Sequence, residues 1–414
     1  MIRRNLNRIR DAVTSLRMFA PAIGRLPARH LWYLFRRLGN EKLHRFGRQI
    51  RINTFFPPFP SRAFDRFLGA VIHRRRVPYS TYFAVTSECP YRCPHCSYGR
   101  RRPAALPSGQ VLDIIGQVKA LGGVTLGFTG GEPLLRPELE EFVAACAPEM
   151  ATIVFTTGHG LDKSRAAGLA RAGLACLTVG IESADAAAHD RVRGTAGSFE
   201  EARRAVRIGK EAGLYTAVST IGTREKIESG DLDRMYDLAA AWGAGEFRLL
   251  APVATGGAAS CGTFMLSPEH RRALQDFHVR HNRVAGLPAV ASFAYLESPE
   301  MFGCGAGYHH LFIDAAGEVC PCDLTPLSMG SLRRESLREV WTRMERHFAL
   351  PRIECLMACI ASRLSGEAAE SLPLPPPSSE RILADVPREG PLPGAYARLL
   401  KSPGPQRPSP RPGP

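Results

Sequence analysis

The sequence predicts an α/β fold, a partial (β/α)6 barrel followed by a small cysteine-rich module. Three observations carry this expectation. From Thr81 onward, short runs rich in β-branched and aromatic residues alternate strictly with amphipathic segments, the pattern of a parallel sheet with helical crossovers. Eight of the 11 cysteines fall into two groups, residues 89–96 and residues 304–359. The two ends differ from the middle: residues 1–80 hold 18 Lys+Arg against 3 Asp+Glu, and residues 371–414 hold 13 of the 33 prolines.

Residues 1–80 form a basic, mostly helical leader. Its net +15 equals the formal +15 of the whole chain, so residues 81–414 are neutral overall and attraction to an anionic partner belongs to the leader. Met1–Arg10 and His30–Leu38 interleave apolar side chains with arginine, which suits helices lying at an anionic membrane surface through residues 1–50. A basic helical cap packed on the barrel is the alternative, and nucleic acid is the disfavoured competing anion. No apolar stretch approaches the roughly 20 residues of a spanning helix, and Arg17 interrupts the one candidate for a signal-peptide core. A cytoplasmic protein, peripheral at the inner membrane face, is expected. Phe55–Pro60 reads as an extended apolar linker across the barrel mouth.

The barrel, residues 81–298, opens on the strand Thr81–Ser87. Helices are expected at 108–122, behind a serine cap, and near 137–148, 161–172, 198–212 and 231–241. Between them run strands at 124–129, 152–157, 176–181, 214–221 and 246–252, six in all. Directly after the first strand come Cys89, Cys93 and Cys96 at CxxxCxxC spacing. Three thiols on one loop can hold three corners of a 4Fe-4S cluster and leave the fourth iron open. Half a zinc site or a dithiol redox pair would also use Cys93 and Cys96, but zinc wants a second pair nearby and none follows until Cys304. The second strand runs into Gly130-Gly131-Glu132-Pro133, where two glycines admit close backbone approach and Glu132 brings a carboxylate to the ligand-binding edge of a parallel sheet.

CxxxCxxC after a first strand and GGEP after a second resemble the radical S-adenosylmethionine superfamily. The resemblance implies that Cys89, Cys93 and Cys96 hold the 4Fe-4S cluster, whose open iron chelates S-adenosylmethionine. It places Gly130, Gly131, Glu132 and Pro133 at the cofactor's methionyl amino group. His95, standing where the family more often has an aromatic residue, would pack against adenine. Glu182 and Ser183, at the fourth strand's exit before Asp190–Gly194, would reach the ribose, with Ser219 and Thr220 on the fifth strand lining the same cavity. For the 190–199 stretch, a solvated loop with a helix cap at Ser198 is the competing reading.

Residues 299–370 are similar to the SPASM or twitch modules that carry auxiliary iron–sulfur clusters. Cys304, the turn at Gly317 and Cys322 match that pattern, as do Gly330-Ser-Leu and Leu337–Trp341. Cys304, Cys322, Cys355 and Cys359 are the expected ligands of one auxiliary 4Fe-4S cluster, with Cys320 as substitute or spectator and a zinc knuckle as the alternative. Cys146, Cys176 and Cys261 read as ordinary residues. The proline-rich tail, 371–414, is expected to be disordered.

What the resemblance implies is an enzyme. S-adenosylmethionine is reductively cleaved to a 5′-deoxyadenosyl radical that abstracts hydrogen from substrate, with flavodoxin or ferredoxin as electron donor. Maturation or oxidative modification of a peptide or protein is the leading outcome, and modification of a membrane lipid or isoprenoid the second. A noncatalytic iron–sulfur electron carrier or redox sensor is the reading from another class. Glu132 and the polar strand ends speak against it, since a carrier needs no cofactor cavity.

Overall fold

The computed structural model describes residues 13–14, 16–99, 101, 103–259, 264–364 and 372–400. Met1–Arg10, Cys261 and residues 401–414 lie outside the described residues. A hairpin of β1 (His44–Phe46) and β2 (Gln49–Arg51) precedes β3 (Ser80–Thr86), β4 (Thr125–Gly130), β5 (Ala151–Thr156), β6 (Cys176–Gly180), β7 (Thr216–Ile221) and β8 (Glu246–Leu250). Then follow β9 (Ala289–Ser292), β10 (His310–Ile313), β11 (Glu318–Cys320) and β12 (Gly330–Ser331).

These last ten strands form one sheet in the order β12-β11-β10-β3-β4-β5-β6-β7-β8-β9, parallel from β10 through β9 and antiparallel across β10-β11-β12. The helix-covered face of the central strands is apolar, with Leu126, Phe128, Val154, Leu177, Val179 and Phe247 all buried, while the lumen face mixes in buried polar residues such as Thr125, Thr178, Glu246 and Arg248. The open barrel expected from the alternation is present, extended by β9. Only four residues long and flanked by Pro288, that strand is too short to carry a periodic signal. The cysteine-rich module continues the same sheet, because β10 pairs in parallel with the free edge of β3 (His310 opposite Ser80).

The crossover helices Ser108–Ala120, Leu139–Cys146, Lys163–Arg171, Ser198–Glu211 and Asp231–Ala241 lie within a few residues of their expected places. Two caps differ from expectation. Pro107, not Ser108, occupies the first cap and contributes no side-chain bond. Ser198 is the first helical residue behind Gly197, and its hydroxyl donates 2.8 Å to Asp190 Oδ1. Residues 190–193 are not loop: Asp185 caps a helix Ala186–Arg193, which left-handed Gly194 (φ 69) terminates.

The leader's aromatic segment lies opposite the expected side. Thr54 donates 2.8 Å through its amide to Glu246 Oε2 at the start of β8, and His44 Nε2 lies 2.7 Å from the Tyr215 hydroxyl just ahead of β7. Phe55, Phe56 and Phe59 pack in a ring cluster with Phe64, Phe67, Tyr79 and Phe302. Phe55–Pro60 therefore closes the floor at the strands' N-terminal ends and leaves the mouth clear, since its apolar rings find partners only there.

The tail also departs from expectation. Pro376–Ala384 and Gly394–Leu400 are helices, and Leu374, Ile382, Leu383, Val386, Ala395 and Leu399 are buried. Prolines occupy the first turn of one helix, where a missing N–H costs nothing. High proline content hid apolar residues spaced for packing.

Candidate functional site

Every residue of the cysteine loop and its neighbours sits at the C-terminal edge of the sheet, where the strand exits converge. Cys89, Cys93 and Cys96 follow β3 on an irregular loop pinned by backbone bonds, Cys96 N to Cys93 O at 3.2 Å and Gly99 N to Cys96 O at 3.2 Å. Glycines clamp the loop from two sides. A Cβ on Gly131 would lie 1.9 Å from Glu88 O, and one on Gly130 (φ 122) 2.1 Å from Thr86 O. From the β8 exit, Gly257 N donates to Cys96 O at 3.0 Å, and its Cβ would meet Pro94 O at 2.1 Å. The Gly256-Gly257 pair was missed in the sequence because its only signal, two glycines after a strand, is common to ordinary turns.

Glu132 does not face the lumen. Its fully buried Oε1 accepts from Leu134 N (3.0 Å) and Thr156 Oγ1 (2.7 Å), and Oε2 from Thr157 N (2.7 Å) and Thr157 Oγ1 (2.6 Å). Burial pushes its carboxyl above the usual range, and these four donors push back. The carboxylate thus ties the β4 exit to the β5 exit, while the Gly130–Glu132 backbone supports the cysteine loop. Pro133 is buried at the first position of the short 3-10 turn Pro133–Leu135.

Glu182, at the β6 exit, is the electrostatic hub. Arg193 Nη2 lies 3.0 Å away, His95 Nε2 3.3 Å and Lys226 Nζ 3.8 Å. Burial opposes its ionisation, but Arg193, His95 and Lys226 outweigh that and hold the carboxyl well below the usual range. Arg193 also donates 3.5 Å to Cys93 Sγ, so the hub touches the cysteine loop. Arg193 was missed as an individual because no motif singled it out from a basic stretch. Ser183 turns aside to donate 3.0 Å to Asp231 Oδ2, and Thr220 accepts 2.8 Å from Lys226. Ser219 lies on β7, its carbonyl accepting from Ile181 N at 2.8 Å.

Both cysteine groups open onto one cavity of about 610 Å³. Cys93 and Cys96 line it on the barrel side, and Cys304, Cys322 and Cys355 on the module side. Cys304 donates to the Cys355 sulfur, which burial would push up. That bond, with the Ala358 and Met357 amides of the helix Leu356–Leu364, instead lowers the Cys355 thiol. Cys359 sits one helical turn on, half-exposed, its thiol 3.8 Å from Glu354. Cys320 points to the other face of β11, packed with Ala84, Tyr98 and Phe312 and 3.7 Å from Arg101 Nη1, which removes it from the Cys322 side. Cys146 and Cys176 are buried and free, as expected.

The cavity holds polar groups the sequence did not announce. Arg248 spans the floor from Thr54 Oγ1 (2.7 Å) to the Tyr82 hydroxyl (2.6 Å). Glu297 lines the cavity and its side chain is exposed there. Surrounding protein pushes its carboxyl upward, with Cys355 and Asp323 adding and Arg248 and Arg271 opposing. His310 lies 3.1 Å from Asp323, beside Cys322. No helix among the described residues is long and apolar enough to cross a membrane.

The chain is similar to known proteins along most of its length. A family model described as Radical SAM superfamily matches residues 83–238, and one described as an iron–sulfur cluster-binding domain matches residues 304–359. The PqqA peptide cyclase of Streptomyces rochei is 30% identical over 354 residues, 78% of this chain and 96% of that protein. The AdoMet-dependent heme synthase of Oleidesulfovibrio alaskensis is 24% identical, over 64% of this chain and 76% of that protein. Among solved structures, anSMEcpe with bound AdoMet superposes with TM-score 0.55 at 15% identity, covering 78% of this chain and 98% of that one. Streptococcus suis SuiB bound to S-adenosylmethionine gives TM-score 0.53 at 17% identity, covering 67% and 68%. With its two cysteine groups facing one lumen and matches spanning both halves, this chain belongs to the radical SAM superfamily, as an enzyme carrying a C-terminal SPASM iron–sulfur domain.

Proposed function

We propose that this enzyme matures a peptide, abstracting hydrogen from a side chain threaded into the shared cavity and oxidising or cross-linking it. The observation that carries the reading is that cavity, bounded by Cys93 and Cys96 on one side and Cys304, Cys322 and Cys355 on the other. Its volume, about 610 Å³, falls within the ~300–1,000 Å³ of small-molecule sites. The PqqA peptide cyclase relative and SuiB, whose complex holds the precursor peptide SuiA, favour a peptide over a lipid substrate.

The residues suit the cofactors. Cys89, Cys93 and Cys96 are three thiols on a loop from which glycines exclude side chains, so they would hold a 4Fe-4S cluster with one iron open; Cys304, Cys322, Cys355 and Cys359 would hold the auxiliary one. Held there with S-adenosylmethionine, such a cluster would supply one-electron reductive cleavage of that cofactor. Arg193 offsets negative charge at Cys93. Glu182 holds His95 and Lys226 in place beside the cofactor's nucleoside end. Glu297, its carboxyl pushed upward, offers substrate a hydrogen-bonding group on the cavity wall. Arg248 locks the floor and excludes water from below. A flavodoxin or ferredoxin serves as electron donor, and the basic leader, residues 1–50, contacts an anionic membrane surface.

Anaerobic reconstitution with dithionite and S-adenosylmethionine tests this. Wild type releases 5′-deoxyadenosine and Cys93→Ala does not, and a peptide encoded beside the enzyme loses two hydrogens on co-expression. Release of 5′-deoxyadenosine with no change in any such peptide, but a new species in the lipid extract, would overturn the peptide reading.

A further inference from the structure

A second cavity, about 120 Å³, contains none of the cysteines and is bordered by the helices Ala28–Leu38, Arg62–Ile72 and Gly394–Leu400, with Phe55, Tyr79 and His309 forming a wall shared with the cysteine-lined cavity. Leu31, Leu34, Phe67, Val71 and Leu399 make its walls apolar. Its size is close to the ~150 Å³ engineered apolar cavity that stays dry and takes up benzene, so it accepts a stretch of several carbons. Among the described residues none of its lining is acidic, and Arg37, Arg74 and Arg75 all border it. A fourth arginine, Arg76, is engaged with the Trp341, Phe348 and Gly307 carbonyls.

Within these walls sits His30, 2% exposed, both of whose ring nitrogens lack a hydrogen-bond partner among the described residues. Burial, with Arg398 and Arg74 nearby, lowers its pKa to about 4, so the ring is neutral and carries one unmet donor and one unmet acceptor. Buried polar groups are almost always paired, and one left open in a cavity marks a place for a ligand's polar atom.

The same helix that carries His30, Leu31 and Leu34 turns Trp32 (62% exposed) and Phe35 (54%) outward. Val13, Leu16 and Ile23 are exposed as well, so half of the large exposed apolar residues in the described structure fall within residues 13–35. Exposed Arg17, Arg25, Arg29 and Arg36 lie among them, and residues 12–40 contain no Asp or Glu. Apolar side chains set in cationic, acid-free surface match an anionic lipid interface.

We propose that the leader and the C-terminal helix form a binding site for an anionic amphiphile from a membrane surface. Its hydrocarbon chain enters the 28–38/62–72/394–400 cavity, its anionic head meets Arg37, Arg74 and Arg75, and His30 bonds an oxygen of the head. The site deepens the reading of the leader as a membrane contact and is independent of the radical chemistry, so it is tested without turnover.

Laurate titrated calorimetrically into the full-length protein is the probe, with flotation on phosphatidylglycerol vesicles as the second arm. Wild type binds laurate. His30→Phe weakens it at least tenfold while leaving the laurate-free unfolding temperature unchanged or higher, because it removes two unpaired polar atoms; a purely structural histidine would lower that temperature. Val71→Trp, which fills the cavity, weakens laurate similarly. Trp32→Ser/Phe35→Ser retains laurate binding and loses flotation. Laurate binding together with flotation supports a membrane lipid as the source; laurate binding without flotation supports the cavity with a free fatty acid as its source. Equal binding by wild type, His30→Phe and Val71→Trp, or none by any, overturns the site. So does laurate binding that appears only after residues 1–12 are deleted, which would make that segment the occupant.

Discussion

Replacing Glu132 separates a scaffold carboxylate from a cofactor ligand. In the structure both of its oxygens are occupied by the chain itself, each accepting one backbone amide and one threonine hydroxyl. Hydroxyls of Thr156 and Thr157 can rotate to other acceptors, but the amides of Leu134 and Thr157 cannot. A buried donor left unpaired costs about 1–3 kcal/mol, so Glu132→Ala, stranding two, is expected to destabilise the protein by roughly 2–6 kcal/mol. Glu132→Gln keeps one carbonyl oxygen and turns an amino group toward the other amide, for a loss of about 1–3 kcal/mol. Urea unfolding of protein free of iron and S-adenosylmethionine measures this without any cofactor contribution, and the Ala variant should lose about twice what the Gln variant loses. If both unfold at the wild-type midpoint while reconstituted enzyme loses S-adenosylmethionine affinity, the carboxylate serves the cofactor and the scaffold argument is wrong.

Arg193→Met should cost about 3–5 kcal/mol, because it leaves Glu182 buried with weaker partners. The depressed Glu182 carboxyl contributes stability above its ordinary value of 4.5 that is lost as pH falls below it. Unfolding across that range should therefore show a shallower acid slope in the variant, and an unchanged slope would remove Glu182 from the account. Cys320→Ala should retain wild-type iron after reconstitution whereas Cys322→Ala loses the auxiliary share. Equal loss from both would return Cys320 to the ligand set. Truncation after residue 371 removes Leu374, Ile382, Leu383 and Leu399, each worth about 1.5–3 kcal/mol when buried. Limited proteolysis should then cut the 28–38 helix much faster than in the full chain, and an unchanged pattern would mean that the C-terminal helices contribute no stability.

Alternation of strand and helix was legible in the chain because period-2 and period-3.6 patterns are local. The cysteine spacing and the GGEP turn were legible for the same reason: each function-bearing group lies within a few residues of the next. What failed were features whose partners are distant in sequence. The floor made by Phe55–Pro60 needs Tyr79 and Phe302, and the ordered tail needs the leader helix and the cysteine-rich module.

By itself, then, the sequence determined the barrel, the two thiol groups and the cofactor class, through short-range spacing that leaves few chemical alternatives. Only the tertiary structure decided that the two groups share one lumen, because β10 adds to the open edge of β3 and carries Cys322 around to face Cys93. It alone separated Cys320 from Cys322: residues two apart on a continuous strand share a face, but β11 ends at Cys320 and the chain turns before Cys322. Burial, which no local pattern records, gave Glu132 to the scaffold, drew Glu182 and Arg193 together, and left His30 without a hydrogen-bond partner among the described residues.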